Sequence, residues 1–588
     1  MKRTHQITRL ALIMLSAIWF ASCNQNNSHF PPRPAANGYD FTPKDTSWKQ
    51  LTLREKIGQT MIMVGYAENH EAMFDGDMQK MMEKYPIGGV FIPPWHYANH
   101  QPQSDVISNI QYWIQKYEDA SKYPMIITED FERGMGSFYQ GYTDMPVLMS
   151  LGAANKPELS RSYGNATAKE ASTIGVNWLL HPVSDLNVNP LQNLVVERAV
   201  SDDATHAYPL LKAQMQGMEE HGTVPTIKHF PGDGATMKNQ HIVTSANNMS
   251  MDEWNATYGT LFQNLINDGA PCIMVGHIRF PAYQTELLKG VLPPASLSKE
   301  LMVGLLKEKM QFNGVIMSDA LNMGGCGGYY PNIAETAIKC FEAGVDIVLW
   351  PELEYMDTVE ARILRGEIPM ERLDDAVKRI WGVREKYGLL EKKENIYYEL
   401  TAEDKATIQQ TATDVAEHAI TVIADNNNEL PLNPEKDKKI CIINISTNDM
   451  TGLLQHTKEG LEAKGFEVAD IIYNPNLYAW QGRLPMFDQF DRVIVAFENR
   501  YLAPLGSSML KGPEAFGIWT ANMIPFEKTI GISYSNPYYV NYYMDNAPIR
   551  INAYSMDEHS QKAVIDVLTG AIEAKGTSPV NVDNRVMD

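Results

Sequence analysis

Short apolar runs recur along the chain, with longer amphipathic stretches between them. The runs are Ile57–Gly65, Ile87–Ile92, Pro124–Thr128, Val176–Leu180, Val224–Ile227, Cys272–Val275, Gly314–Met317 and Val345–Leu349. Each has strand length, and most carry Val or Ile. Stretches such as Pro157–Ile174 and Ala204–His221 have helical spacing. Alternating β-then-α units of this kind predict a (β/α)8 TIM-type barrel. A doubly wound sheet is the alternative, but it seldom needs so many regular units. A charged, helix-rich stretch, Asp374–Glu394, ends the barrel. A helix at Glu403–His418 and strands at Ile420–Ala424, Lys439–Ile445, Phe466–Ile472, Arg492–Phe497 and Thr529–Ser533 then predict a smaller α/β sandwich. The pattern assigns 45–395 to the barrel, 401–575 to the sandwich, and 576–588 to a frayed tail.

The first residues read as an address. Lys2, Arg3 and Arg9 precede an apolar run, Leu10–Ala21, too short to span a bilayer comfortably. The run ends in Ala21-Ser22-Cys23, which resembles the bacterial lipoprotein cleavage box. The resemblance implies removal of residues 1–22, a lipid on Cys23, and a location in the bacterial cell envelope. Residues 24–44 are rich in Asn, Pro and Ser and read as a flexible tether.

Composition narrows the partners. The 588 residues are 44% apolar and 21% charged, which excludes a disordered chain, a collagen and a coiled coil. The net charge of −21 argues against nucleic acid, and against anionic membrane beyond the lipid anchor. Sequence alone leaves the oligomeric state open. Five cysteines make no disulfide scaffold, and Cys272, Cys326, Cys340 and Cys441 read as buried thiols without CxxC spacing.

The strand ends carry the candidate chemistry. Glu129-Asp130 ends the third run, His181 the fourth with Asp185 beyond, Lys228-His229 the fifth, His277 the sixth and Ser318-Asp319 the seventh. Barrel active sites lie at this rim. The alternative is an ion-pair network that closes the barrel top. A metallohydrolase needs His-x-His on its first strand, and none occurs there. No Walker sequence or strand–GxGxxG–helix unit is present, so neither a metal nor an organic cofactor is expected. Gly324-Gly325-Cys326-Gly327-Gly328 reads as a flexible loop. Asp319 facing histidines and Lys228 suits covalent cleavage of a glycoside.

Lys228-His229-Phe230-Pro231-Gly232-Asp233-Gly234 resembles the KHFPGHG signature of bacterial β-N-acetylglucosaminidases in glycoside hydrolase family 3. Leu51–Gln59, Ile87–Val90, Gly175–Trp178, Pro182–Asp185, Arg198 with Ser201–Asp203, Pro294–Ser298 and Phe312–Asp319 agree with that family in order. The resemblance implies a retaining exo-glycosidase that acts on terminal β-linked N-acetylglucosamine. Asp319 inherits the nucleophile's role. His241, in Asn239-Gln240-His241, inherits the acid/base role of a loop histidine. Asp130, Arg198, Lys228 and His229 match sugar-binding positions.

Three departures bear on that expectation. The family's Asp-Ser-His triplet has Asn239 for its Asp, so orientation is kept but charge is lost. The signature's second histidine is Asp233, expected either to supply the missing carboxylate to His241 or to cap a turn. The D-Q-E-G-G-R segment reads Asp130-Phe131-Glu132-Arg133-Gly134-Met135, with its Arg displaced and its spacing altered by about one residue. These changes keep open a glycan-binding lipoprotein without turnover, a β-glucosidase-like enzyme, and a phosphorolytic enzyme.

Overall fold

The computed structural model describes residues 40–583 apart from 101–102, 447–451, 453, 477–483 and 500–509. The leader run and Cys23 lie outside the described residues, as do residues 24–39 of the expected tether. Its last part is no tether: Phe41 is buried with Ile380 and Val383, and the Lys44 N–H donates to Glu385.

Eight parallel strands form the first sheet: β1 (Met61–Val64), β2 (Gly89–Phe91), β3 (Ile126–Glu129), β4 (Trp178–Leu179), β5 (Val224–Phe230), β7 (Cys272–Val275), β9 (Val315–Ser318) and β10 (Val348–Leu349). Their order is β10-β1-β2-β3-β4-β5-β7-β9, and a bridge between Met317 and Ile347 brings β9 back to β10. A short ladder of β6 (Ser245–Ala246) and β8 (Ile278–Arg279) lies beside this barrel.

The continuous apolar runs follow from burial on both faces of each strand. Ile62, Phe91, Ile126, Trp178, Val224, Met274, Val315 and Met317 fill the barrel interior. Their neighbours Met61, Met63, Val90, Ile127, Leu179, Ile227, Ile273 and Ile316 pack under the outer helices. The two sets alternate along every strand, as the period of two requires. The Ile57–Gly65 run is two elements: Thr52 and Glu55 form a capping box for the helix Leu53–Gln59, and only then does β1 begin.

The second body is a mixed sheet of order β11-β17-β16-β15-β12-β13, with β14 also on β12. Its strands are β11 (Thr421–Asp425), β12 (Lys439–Ser446), β13 (Glu467–Val468), β14 (Ile472–Tyr473), β15 (Arg492–Glu498), β16 (Thr529–Ser533) and β17 (Ile549–Asn552). Only β11 runs antiparallel, and separate apolar clusters cover the two faces.

The two bodies share a seam. The helix Ala402–Ala419 pairs Asp404 with Lys169 at 2.7 Å, and Gln409 donates to Thr143. Ser555 accepts from the Val147 N–H at 3.2 Å, and Tyr538 accepts from the Asn187 amide. Of the residues expected to fray, 576–583 are docked instead. Thr577 N–H donates to Ala153, Pro579 carbonyl accepts from Ser201 Oγ at 2.6 Å, and Val580 is buried. No helix among the described residues is long and apolar enough to cross a membrane.

Candidate active site

The C-terminal ends of the barrel strands open into a cavity of about 680 Å³. Asp130, Arg198, Lys228, His229, His241 and Asp319 all line it, although they come from five different segments of the chain. β9 delivers Asp319, and the Ala320 N–H fixes one carboxylate oxygen at 2.7 Å. Burial alone raises the Asp319 carboxyl, but His229, His277 and His241 outweigh it and hold it below the ordinary aspartate range. Asp319 is therefore ionised at neutral pH.

β5 delivers Lys228 and His229, and the Lys228–His229 peptide is cis. His229 presents Nε2 to Asp319 at 3.8 Å. Its Nδ1 meets Asp185 at 2.7 Å, which fixes the ring's orientation. Asp185 also accepts from the backbone N–H groups of His229 and Asp233.

The cations of the rim converge on Glu132. Lys228 Nζ lies 2.8 Å from this carboxylate and 2.5 Å from Asp130. Arg198 donates through Nε at 2.8 Å and through Nη2 at 2.7 Å, a bidentate fork. Burial pushes the Glu132 carboxyl up, but Arg198 and Lys228 together hold it well below the carboxylate range. Burial likewise opposes the charge of Lys228, which Asp130 and Glu132 restore. The result is a charge-balanced set of donors and acceptors for sugar hydroxyls. Asp185, a strand-end candidate from the sequence, thus orients His229; sequence reasoning gave Glu132 no site role, and its signal was position, just beyond the end of β3. Arg133 turns aside to Asp144, at 2.6 and 2.8 Å.

His241 sits in the loop between β5 and β6. Its Nδ1 and its backbone N–H both meet Asn239 Oδ1, at 3.0 and 2.9 Å. Burial lowers the imidazole to about 4, so the ring is neutral at pH 7. Two backbone bonds hold this loop from the far side: Gly324 N–H to His241 O and Gly325 N–H to Gln240 O, both 2.9 Å. The glycine run is thus a docking surface and not the flexible loop expected, with Cys326 fully buried.

The compensation expected of Asp233 is not made. Its carboxylate accepts from Ser245 Oγ at 3.1 Å, Gln192 Nε2 at 3.3 Å and the Gly234 N–H at 2.9 Å, and makes no bond to His241. Burial and then Asp185 push Asp233 up to about 7. It holds a turn, because the chain after β5 folds it under the loop instead of toward the ring.

Two strand-end histidines stay out of the cavity. His181 meets Gln214 and stacks on Tyr163, and burial lowers it to about 3. His277 spans from Ser296 Oγ, 2.9 Å, to the Ala320 carbonyl, 3.0 Å, behind the nucleophile's peptide. Burial opposes its charge, but Cys326 and Asp319 raise it to about 9. Among the described residues, no cluster of three or more His, Cys, Asp or Glu is placed to hold a metal.

The chain can be set beside known proteins at this point. It is 25% identical over 568 residues to the Beta-N-acetylglucosaminidase/beta-glucosidase of Cellulomonas fimi, covering 91% of this chain and 95% of the relative. It is 24% identical over 557 residues to the Beta-hexosaminidase A of Pseudoalteromonas piscicida, covering 86% and 91%. Among solved structures it is similar to a beta-glucoside phosphorylase bound to 2FGlc, at 27% identity and a TM-score of 0.78, over 91% of this chain and 95% of the other. A family 3 β-N-acetylglucosaminidase from Paenibacillus shares the fold at a TM-score of 0.75 and 23% identity, over 90% and 99%. The family description "Glycosyl hydrolase family 3 N terminal domain" matches residues 52–383. The barrel, its rim and this match agree: the chain belongs to glycoside hydrolase family 3.

Proposed function

We propose that the protein is a retaining exo-glycosidase that releases terminal β-linked N-acetylglucosamine, with Asp319 as nucleophile and His241 as acid/base. The observation that carries this is the ionised, buried Asp319 sharing one cavity with His241 and the Lys228–Glu132–Arg198 set. Asp130, Lys228 and Arg198 bind the hydroxyls of the terminal sugar, and His229, oriented by Asp185, lies over the nucleophile. Asp319 attacks the anomeric carbon while His241 protonates the departing oxygen. His241 then takes a proton from the incoming acceptor, which breaks the glycosyl ester. The names of the Cellulomonas fimi and Pseudoalteromonas piscicida relatives support the sugar.

The test is release of nitrophenol from the β-N-acetylglucosaminide and the β-glucoside, beside Asp319→Asn and His241→Ala. A 2-fluoro sugar gives a covalent adduct on Asp319, located by peptide mass spectrometry. No adduct and no turnover from a folded protein that binds sugar refutes the enzyme.

One observation favours phosphate over water as the acceptor. Asn239 Oδ1 faces His241 Nδ1 where a carboxylate would repel an anion, and the beta-glucoside phosphorylase of similar fold gives this reading support. Assays with added phosphate distinguish the two by the appearance of sugar 1-phosphate.

The Leu10–Ala21 run and Cys23 support lipid anchoring in the cell envelope, with cell-wall fragments or other glycans as substrates. Metabolic palmitate labelling that survives Cys23→Ser overturns the anchor.

A further inference from the structure

β7 stands between the two strands that carry the reacting groups. The sheet order β5-β7-β9 puts the His241 loop, which leaves β5, on one side of it. Asp319, which ends β9, lies on the other. His277 follows the end of β7 and is fully buried, outside the lining of the sugar cavity. It nonetheless bonds toward both neighbours.

The side chain serves the nucleophile. A carbonyl oxygen only accepts, so the 3.0 Å contact with the Ala320 carbonyl makes Nε2 the donating nitrogen. Ser296 Oγ, 2.9 Å from Nδ1, fixes the plane of the ring. Ala320 in turn gives its N–H to Asp319 Oδ1 at 2.7 Å. The residue that holds the carboxylate is thus itself held by His277. The Met323 N–H shares the Ala320 carbonyl at 3.2 Å, and the Asp319 N–H donates to Val275 at 3.0 Å. The backbone around the nucleophile is therefore tied to β7 and its extension before and after the carboxylate.

The backbone serves the acid/base. The His277 N–H donates to Gln240 Oε1 at 2.7 Å, and Gln240 adjoins His241. The His277 carbonyl accepts from the Ser245 N–H at 3.1 Å, farther along the same stretch of chain. Gln240 is fully buried, and its Nε2 has no hydrogen-bond partner among the described residues. A buried amide nitrogen left unpaired is destabilising, and an apolar residue of similar shape avoids that defect. Packing alone therefore does not account for a glutamine here; its oxygen, bound to His277, does. Little slack remains: a Cβ at Gly276 would lie 2.9 Å from Gln240 Oε1, and one at Gly325 would lie 2.8 Å from the His277 Cβ.

We propose that His277 is a positioning residue for both reacting groups: its ring sets Asp319 through Ala320, and its N–H sets His241 through Gln240. This rests on the glycosidase reading above. Retaining cleavage needs the nucleophile and the proton donor at a fixed mutual spacing. Asp319 and His241 lie on segments that follow different strands, and His277 is the residue between them that bonds to both.

The test uses the full chain with His277→Leu, His277→Gln and Gln240→Leu. Leucine fills the ring's space without a donor, whereas glutamine returns an N–H near the place of Nε2. The probes are dinitrophenyl N-acetyl-β-glucosaminide, which needs no proton for departure, and the methyl glycoside, which does. Inhibition by N-acetylglucosamine reads sugar binding separately. His277→Leu is expected to lower kcat/KM for the dinitrophenyl glycoside by about 10²-fold, with the inhibition constant within about twofold of wild type and most of the rate restored by His277→Gln. Gln240→Leu is expected to lower kcat/KM for the methyl glycoside by about 10-fold while sparing the dinitrophenyl one. An unchanged rate in His277→Leu overturns the proposal, as does a loss that follows the inhibition constant and is not rescued by glutamine. Should His277→Leu fail to fold, Ser296→Ala decides: freeing the ring lowers the dinitrophenyl rate severalfold, and an unchanged rate overturns the proposal. A wild-type protein that binds N-acetylglucosamine but turns over neither glycoside removes the glycosidase reading; an active wild type with unaffected variants removes only the role of His277.

Discussion

Gly324→Ala tests whether the catalytic loop is held from behind. An ideal Cβ at Gly324 lies 2.2 Å from the Ile242 carbonyl oxygen and 3.1 Å from that of His241. The nearer contact falls short of ordinary 3.4 Å separation by more than an ångström. Both partners are backbone, so no rotamer change relieves the clash. Either the glycine run or the His241 loop must move by about 1 Å, and a misplacement of that size costs on the order of 10²-fold in rate. The loss falls on proton transfer, because the sugar-binding set comes from other segments. The assay compares a methyl or sugar leaving group with dinitrophenol, which needs no protonation. The expected result is a loss of about 10²-fold in kcat/KM for the poor leaving group and only a few-fold for dinitrophenol, with the chain still folded by circular dichroism. Equal losses on both, or none on either, refute the claim that Gly324 positions His241.

Three further perturbations follow from the same geometry. Activity requires protonated His241 and ionised Asp319, so with His241 at about 4, wild-type kcat/KM falls as pH rises above that value; Asn239→Asp places a charge 3.0 Å from Nδ1 and moves the descending limb upward by roughly 1–3 pH units. A pH–rate profile that does not move removes His241 as the titrating acid. Asp233 is raised from 3.8 to about 7, so the folded state binds the extra proton and wild-type stability falls as pH rises through that window. Asp233→Asn abolishes that fall, seen as a higher Tm at pH 8 than wild type, and leaves the pH–rate profile unchanged. Glu132→Gln leaves Lys228 and Arg198 facing each other without their shared anion, a defect on the order of 3–5 kcal/mol for a buried partner. Calorimetry and saturation kinetics are expected to show a lower Tm together with at least a tenfold drop in kcat/KM, and wild-type values for both refute the network's role.

The barrel was legible because its strands are buried on both faces, which turns each into an unbroken apolar run. Where a run continued into a helix, as at Ile57–Gly65, apolarity alone could not mark the boundary; the Thr52-x-x-Glu55 capping box could. Asp319 and His229 were legible as polar residues at the ends of apolar strands. Glu132 was not, because its importance lies in two cations that approach from β5 and from the turn Val196–Arg198. Asp233 stayed open between compensating His241 and capping a turn, because two loop residues eight positions apart carry no sign of which faces which.

The docked C-terminal segment makes assembly order matter. During synthesis the barrel sequence emerges first and can fold as a unit. Its helix Leu148–Ala154 then waits with Gly152 set so close to Val200 that no larger residue fits, and with the Ala153 carbonyl unclaimed until Thr577 arrives. The seam between barrel and sandwich is thus sealed by residues that are made after both bodies. A cut or insertion at residues 577–580 is not neutral: it acts on the closing stitch of a molecule whose cavity wall, at Val147, hangs from the same seam.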